Sequence, residues 1–175
     1  MIEYRRPRLD EAAVFATMHV QCWREAYKDI VPAELLRTFD VSQRLDKWHN
    51  NLANFDRIII GAFDADVPVG FVMGGTPRDE LFEGADGQIE GLYVAASHYR
   101  LGIGRELLIA IADEWLKRDG RSLTLGVLAE NKKARQFYEA MGGRLVKETV
   151  YNWSGYELPD CLYVFEDLKT LIGKD

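Results

Sequence analysis

Apolar residues in the first third of the chain recur mainly at helical spacing. Residues 2–6 alternate apolar and polar side chains, which predicts a short first strand. Over residues 11–27 apolar side chains return every three or four positions, which predicts one amphipathic helix with Asp10 as its N-cap. Pro32 suits the first turn of a short helix, and a further helix is predicted with Ser42 as its cap. This part of the chain is therefore expected to be mostly helical.

The remainder of the chain alternates strand patterns with helix patterns. The predicted segments are a β-hairpin over residues 57–73 with its turn at 64–66, a loop over 76–86, a strand over 88–94, a helix from 102 to 120, a strand over 123–127, a short helix over 134–141, and strands over 144–153 and 158–167. The order is β-αα-βββ-α-β-α-ββ, without an internal repeat or a linker. We therefore expect one domain over residues 1–175, of the mixed α/β class.

The composition is that of an ordinary globular protein. The 175 residues are 47% hydrophobic and 29% charged, and a chain of this length buries a full core without disulfide or metal. The longest apolar runs fall far short of the roughly 20 residues that a membrane-spanning helix needs, and the N-terminus lacks the apolar segment of a secretory signal. We therefore expect a cytoplasmic protein without a membrane partner.

The net charge and the positions of cysteine and histidine bear on which ligands the protein can bind. A net charge of −6 and a pI near 5.2 disfavour binding to nucleic acid and suit a cationic substrate better. Cys22 and Cys161 are far apart in sequence, and the three histidines lack the spacing of a helical metal site. We therefore assign no metal and expect both cysteines to be buried thiols.

A glycine-rich loop is the strongest candidate for a binding site. A predicted strand is followed by a helix that opens near Gly102, so unpaired N–H groups at the helix N-terminus would favour a phosphate or pyrophosphate. A Walker A loop is excluded because Arg105 and Glu106 follow Gly104, where Lys and Ser or Thr are required. A dinucleotide fingerprint is weak because Leu107 stands at the position of its third glycine. On this loop alone, a plain strand-to-helix turn stays open.

Two motifs in this part of the chain resemble those of one enzyme superfamily. Residues 87–109 are similar to the coenzyme A-binding segment of the GNAT N-acetyltransferases, and residues 131–142 are similar to the second motif of that superfamily. Tyr99 stands where the family usually has Gln or Arg, and Gly143 where an aromatic residue commonly follows. The two motifs in this order imply the family fold, a central and mostly antiparallel β-sheet of about six to seven strands flanked by about four to five helices.

The resemblance implies that acetyl-coenzyme A is the cosubstrate. The residues that it implies for binding are Leu92, Tyr93, Val94, Tyr99, Arg100, Leu101, Gly102, Ile103, Gly104, Arg105, Asn131 and Tyr138. The strand would pair its backbone with the pantetheine arm, and the N–H groups of the loop would hold the pyrophosphate. Asn131 would bond the pantetheine arm, and it is equally suited to cap the helix that follows.

Catalysis needs one group that takes a proton from the amine and one that gives a proton to the thiolate. The resemblance implies Tyr138 as the acid, while its place on an apolar helix stripe also fits a core tyrosine. Glu90 is our candidate base because its strand would border the thioester, and a surface glutamate is the alternative. Trp23 and Tyr27, four residues apart, are candidates for the acceptor pocket or for packing.

The function implied is direct transfer of an acetyl group from acetyl-coenzyme A to a primary amine, without a covalent acyl-enzyme. The acceptor is expected to be a small molecule or a peptide. Its identity stays open, as do a longer acyl group and a homodimer. Two other functions also stay open, a non-catalytic acyl-coenzyme A binding or sensing module and a nucleotide or dinucleotide binder.

Overall fold

A computed structural model describes residues 1–77 and 85–173, so most of the loop predicted over 76–86 lies outside the described residues. The chain forms two compact units, Met1–Gly74 with Gly91–Ile111 and Gly75–Glu90 with Ala112–Asp175. The elements in chain order are β1 (Ile2–Arg5), α1 (Ala12–Tyr27), α2 (Ala33–Thr38), α3 (Val41–Ala53), β2 (Ile58–Asp64), β3 (Val67–Gly75), β4 (Gly87–Val94), α4 (Ile103–Leu116), β5 (Leu123–Leu128), α5 (Lys132–Ala140), β6 (Arg144–Trp153), β7 (Tyr156–Phe165) and α6 (Leu168–Ile172). The seven strands and six α-helices of the described ranges confirm the mixed α/β class.

In the first unit, an antiparallel sheet packs against α1 and α3. β1 pairs with β2 and β2 with β3, while β4 lies next to β3. The buried rings of Phe15 on α1 and Trp48 on α3 lie 5.0 Å apart, and Phe63 and Phe71 complete the cluster from the sheet. Gly61 allows this packing, since a Cβ there would lie 2.7 Å from Cζ of Phe15. The core of this unit therefore lies between the two helices and the sheet.

In the second unit, the strand order is β4-β5-β7-β6. β4 pairs in parallel with β5, whereas the pairs β5–β7 and β6–β7 are antiparallel. Residues 161–165 of β7 are buried, but nearly all of the edge strand β6 is exposed. Gly87 at the start of β4 lies against Trp115 of α4, whose Nε1 donates to Oδ1 of Asp86 at 2.9 Å. Burial in this unit therefore extends from β5 across β7 and ends at β6.

The two predicted N-caps are wrong. Asp10 lies inside a short 3-10 helix, Leu9–Glu11, that precedes α1, so its side chain does not cap α1. α3 begins one residue before Ser42, and Asp40 is its N-cap, because the Asp40 carboxylate accepts from the Gln43 N–H at 3.1 Å. The Ser42 hydroxyl instead donates to the same carboxylate at 2.7 Å.

The end of the chain also differs from the predicted strand over 158–167. β7 ends two residues earlier, and Asp167 caps α6 by accepting from the N–H groups of Lys169 and Thr170. α6 has five residues, which is too short for a helical period to show in the sequence. The short helix predicted at Pro32 is confirmed as α2, with Pro32 as its N-cap. Three helices therefore precede β2, where the predicted element order counted two.

An ion pair in the first unit ties β1 to the turn before α1. The Arg5 guanidinium donates to both carboxylate oxygens of Glu11 at 2.8 and 2.9 Å, and the Arg8 N–H adds a bond of 2.7 Å. Glu11 is 9% exposed, and the guanidinium lies 3.7 Å from the centre of the Phe63 ring. The bonds from Arg5, together with the Arg8 N–H, lower the pKa of Glu11 to about 2, although burial opposes them.

We expect Glu11→Gln to lower the free energy of unfolding at pH 7 by about 2 kcal/mol, because it removes charge from hydrogen bonds in a buried setting. The folded pKa lies below the ordinary value of 4.5, so this stabilisation is complete above pH 4.5 and disappears as the pH falls toward 2. Urea unfolding of the parent and the variant at several pH values measures this difference in the free energy of unfolding. Asp10→Asn, which removes a neighbouring exposed carboxylate, should change the free energy by at most about 0.5 kcal/mol. Equal stability of parent and Glu11→Gln at pH 7 would contradict the prediction.

Candidate functional site

The predicted glycine loop leads into α4 with two residues in the left-handed region. Arg100 has a φ of 63° and Gly102 a φ of 81°. A Cβ added at Gly102 would meet no atom within 4 Å, so there is open space beside this backbone. The N–H groups of residues 103–105 at the start of α4 have no helical carbonyl four residues earlier to bond, whereas that of Glu106 donates to the Gly102 carbonyl at 3.1 Å. Together these features are the geometry of an anion-binding helix N-terminus.

Two side chains beside the loop, Arg105 and Tyr99, add little positive charge to it. Arg105 donates to the Glu106 carboxylate at 3.0 Å, so a neighbour on the same helix offsets its charge. Tyr99 is 48% exposed, and burial raises its pKa, with Cys22 and Glu25 adding to the effect. Its phenol therefore stays neutral at physiological pH, unlike the Arg that the family often has at this position.

The second half of β4 lies half-buried in the first unit. Leu92, Tyr93 and Val94 each keep part of their surface exposed. The Tyr93 ring packs against His19 at 5.1 Å and against Phe71 at 5.6 Å, measured between ring centres. Packing against α1 and β3 therefore fixes the predicted pantetheine-binding strand.

His19 on α1 is a residue whose chemistry the sequence analysis missed. Trp48 Nε1 donates to Nδ1 of His19 at 3.3 Å, so the imidazole proton is on Nε2. Burial, reinforced by the cations Arg44 and Lys47, lowers the pKa of His19 to about 3. His19 is therefore neutral at physiological pH and a poor proton acceptor. Its helical spacing predicted packing, and only the contact with Tyr93 places it beside the candidate site.

Trp23 and Tyr27 lie together on α1, as their spacing predicts. Their ring centres are 5.0 Å apart. Trp23 is 3% exposed and stacks on Phe39 at 4.4 Å with an interplanar angle of 8°, which is core packing. Tyr27 is only partly buried and has surface to offer to an acceptor. The predicted acceptor contact is therefore better supported for Tyr27 than for Trp23.

In the second unit, the ladder between β4 and β5 is short. Its two pairs join Gly87 and Gln88 of β4 to Leu123 and Thr124 of β5. The Thr124 hydroxyl donates to the Gly87 carbonyl at 3.3 Å and strengthens the ladder from inside the core. Both strands continue past the second pair, and half-buried Glu90 is the first acidic residue of β4 beyond it. The candidate base therefore follows the point where the ladder ends.

Asn131 caps α5, as the sequence predicts. Its Oδ1 accepts from the Ala134 N–H at 3.2 Å, and its own N–H donates to the Leu128 carbonyl at 2.9 Å. The cap uses the side-chain oxygen, so the Nδ2 group is not part of it. The capping role is confirmed, and the predicted bond to the pantetheine arm stays compatible with it.

Tyr138 on α5 is largely buried. It is 7% exposed, and its ring centre lies 6.3 Å from that of Tyr163. Gly143, which replaces the usual aromatic residue, donates its N–H to the Tyr138 carbonyl at 2.8 Å. A Cβ at Gly143 would lie 2.9 Å from that oxygen and 3.0 Å from Phe165, so a larger residue would displace the end of α5. The departure at Gly143 therefore concerns packing, and the acid role of Tyr138 stays a prediction.

Both cysteines are buried free thiols, which confirms their predicted state. Burial raises the pKa of Cys22 to about 12 and also raises the pKa of Cys161. Within residues 1–77 and 85–173, no group of three or more His, Cys, Asp or Glu is placed to hold a metal ion. In the same ranges, no helix has both the length and the apolar character needed to cross a bilayer.

Known proteins share the sequence pattern and the fold of this chain. Residues 18–143 match the acetyltransferase (GNAT) family. The chain is 29% identical over 181 residues to the uncharacterized N-acetyltransferase YuaI of Bacillus subtilis (strain 168), across 99% of this chain and 100% of that protein. The PaiA N-acetyltransferase of Thermoplasma acidophilum, solved in complex with coenzyme A, has a TM-score of 0.69 at 18% identity, covering 91% of this chain and 97% of that one. YncA of Salmonella typhimurium, solved with its cofactor acetyl-CoA, has a TM-score of 0.71 at 16% identity, covering 95% and 94%.

Proposed function

Because the chain belongs to the acetyltransferase (GNAT) family, we propose that it transfers an acetyl group from acetyl-coenzyme A directly to a primary amine of a small molecule or a peptide. The observation that carries the proposal is the loop before α4, where Gly102 adopts a φ of 81° beside open space. The family match over residues 18–143 includes this loop and α5, and it draws on both compact units. We therefore also propose that residues 1–175 act as one N-acetyltransferase domain.

Acetyl-coenzyme A is the proposed cosubstrate, and it supplies an activated acetyl thioester when bound. The loop suits its pyrophosphate because free N–H groups and the positive end of the helix dipole favour an anion. PaiA and YncA, which were solved with coenzyme A and acetyl-CoA, share the fold. In this proposal residues 99–105 contact the pyrophosphate, while the backbone of residues 92–94 and Nδ2 of Asn131 contact the pantetheine arm.

Tyr138 is the proposed donor of a proton to the leaving thiolate. A phenol carries its proton at neutral pH and needs no prior protonation. Asn131 is the N-cap of α5, and Tyr138 lies near the C-terminal end of the same helix. One short helix therefore carries both the residue proposed to contact the pantetheine arm and the residue proposed to protonate its sulfur.

The acceptor amine arrives largely protonated at neutral pH, so a nearby group has to take one of its protons. Glu90, half-buried just past the β4–β5 ladder, is the candidate that the sequence provides. Tyr27 is the aromatic candidate for contact with the acceptor, because it keeps exposed surface at the end of α1.

A panel of amines tests the proposed reaction. The parent protein is incubated with acetyl-coenzyme A and, in separate reactions, spermidine, an amino acid amide, a peptide with a free N-terminus and an Nα-blocked lysine. We expect release of free thiol with at least one amine, together with a product heavier by one acetyl group. Tight coenzyme A binding without thiol release for any amine would favour a non-catalytic binding module. Preferential binding of NAD or ATP would favour a nucleotide binder.

Gly102→Ala should weaken acetyl-coenzyme A binding by at least about tenfold, since its methyl group would occupy the open space that the pyrophosphate needs. Titration calorimetry measures the affinity. Gly155→Ala is a matched control, because Gly155 also has a positive φ, 87°, with no atom within 4 Å of its added Cβ. Both variants carry a similar backbone strain of about 1 kcal/mol, but Gly155→Ala should bind like the parent. Equal affinity of the two variants would remove the loop from the site.

Tyr138→Phe should lower kcat by roughly 10²-fold, about 2.7 kcal/mol, because it removes the proposed acid and keeps the ring. The affinity for acetyl-coenzyme A should change much less. The measurement is kcat with an accepted amine at saturating acetyl-coenzyme A, with the folded fraction checked by thermal melting.

Tyr163→Phe controls for the loss of a buried tyrosine hydroxyl. The Tyr163 hydroxyl accepts from Arg135 Nε at 3.0 Å and donates to Glu139 at 2.6 Å, so its removal should lower stability by about 1–2 kcal/mol. Its kcat should stay within about threefold of the parent. A kcat for Tyr138→Phe in that same range would return Tyr138 to the core and leave water as the proton donor.

A further inference from the structure

Asp160 on β7 is a half-buried carboxylate that has no part in the chemistry described so far. It is paired with Leu128 of β5 on one side and with Thr149 of β6 on the other, so these three side chains share one face of the second unit's strands. Gly126 belongs to the same face, and a Cβ there would lie 2.9 Å from Oδ2 of Asp160. The carboxylate therefore lies over the backbone of β5.

Gly126 has no side chain, so it leaves the backbone of β5 accessible on this face. It is exposed, whereas its neighbours Leu125 and Val127 are buried on the opposite face. Glycine inside a strand commonly marks a place where another group approaches the backbone closely. Asp160 takes part of the space that a side chain at this position would fill, and the rest is open to solvent. A small ligand can therefore reach the Asp160 carboxylate over Gly126.

This opening lies just beyond the end of the β4–β5 ladder. Gly126 is two residues past Thr124, whose pair with Gln88 is the last one. Glu90 is two residues past Gln88, and the period of two in a strand places it on the same face as Gly126. Asp160 and Glu90 are thus two carboxylates on one face of the second unit's strands, and Asp160 is the one that lies against Gly126.

Residues next to Asp160 and its partner in β5 form backbone hydrogen bonds near the start of α5. Leu128, the partner of Asp160, accepts the N–H of Asn131 through its carbonyl at 2.9 Å. The Ala129 N–H donates to the Pro159 carbonyl at 2.8 Å, immediately before Asp160. These two backbone bonds hold the Asn131 cap on β5 and the end of β5 on the residue before Asp160.

Among the residues that the structure describes, no cation forms an ion pair with the Asp160 carboxylate that would offset its burial. Desolvation raises the pKa of Asp160 to about 6, although the Cys161 N–H opposes the shift. The charged residues nearest in register are Lys147 of β6 and Glu90 of β4 on its own face, and Glu148, Arg135 and Glu139 on the opposite face. Lys147 is opposite Leu162 rather than Asp160, and it is exposed to solvent. Asp160 is therefore ionised at neutral pH and still basic enough to take a proton.

We propose that Asp160 accepts a proton from the ammonium group of the acceptor, an inference that rests on the proposed function. One N–H bond of the ammonium breaks, and its proton passes to an oxygen of Asp160 and then to solvent. The nitrogen lone pair forms a bond to the thioester carbonyl carbon, and the C–S bond breaks. Tyr138 gives its proton to the sulfur. The nitrogen then loses its second proton to solvent, and Tyr138 takes one proton back from solvent, so that one proton is released overall.

The first test needs no acceptor and no turnover. The full chain is labelled with 13C at the aspartate carboxyl groups, and Asp160→Asn identifies the Asp160 resonance by its absence. We expect a protonation midpoint near pH 6. Gly126→Ala should move this midpoint, because its methyl group would displace Oδ2. A midpoint near the ordinary aspartate value of about 3.9 would overturn the inference whether or not any amine reacts.

The second test compares carboxylates through the pH dependence of kcat/KM with n-propylamine, a small primary amine without other functional groups. Protonation of the amine lowers kcat/KM of every variant as the pH falls. In the parent, kcat/KM should decline more steeply below about pH 6, and Asp160→Asn should lack this steeper decline. At pH 7, kcat/KM of Asp160→Asn should be about 10²-fold lower than that of the parent. Glu157→Gln, an exposed carboxylate on the opposite face of β7, is the control and should match the parent. Loss of the decline in Glu90→Gln and its retention in Asp160→Asn would overturn the inference. Absence of thiol release with every amine of the panel would instead contradict the proposed function, and the 13C titration would still decide the state of Asp160.

Discussion

The parallel pairing of β4 with β5 is the constraint on which the arrangement of both motifs depends. Parallel neighbours need a crossover connection, and the glycine loop with α4 provides it. Gly87 makes the pairing possible at its start, because Trp115 and Leu123 already occupy the place where a Cβ would project. The ladder ends with Gln88 and Thr124. The glycine loop follows the strand that contains Gln88, and the second motif follows the strand that contains Thr124. The loop is therefore a helix N-terminus with free donors as a consequence of the topology, before any ligand is considered.

Most of the fold could be predicted from the apolar pattern, because α1 and α4 each bury one face and β2 and β3 are nearly continuous buried runs. The hairpin turn was visible at residues 64–66, where Ala65 and Asp66 adopt φ values of 45° and 68°. The caps were not predictable, since Asp40 and Ser42 are both good cap residues and only the backbone decides between them. Asp40 is extended, with φ −114° and ψ 162°, so the helix starts immediately after it.

The candidate site likewise has features that the sequence could predict and features that it could not. The loop around Gly102 and the Asn131 cap were predictable because their roles depend on backbone within a few residues. The burial of Trp23 under Phe39 and the pKa of His19 were not, since partners far along the chain determine both. Asp160 is the extreme case. Its surroundings depend on a glycine that only the β5–β7 register brings next to it.

Two carboxylates of this protein, Glu11 and Asp160, have opposite environments. Glu11 is almost as buried as a core side chain, and the bidentate bonds from Arg5 lower its pKa to about 2, so folding favours its ionised form. Asp160 has the opposite environment, and its pKa is raised to about 6, so folding disfavours its ionised form at neutral pH. An asparagine would keep the shape and the bond from the Cys161 N–H without this cost. A chain that keeps an ionisable group where its charge lowers stability gains nothing structural from the charge. The raised pKa and the position against Gly126 are the two properties on which the proposed proton transfer depends.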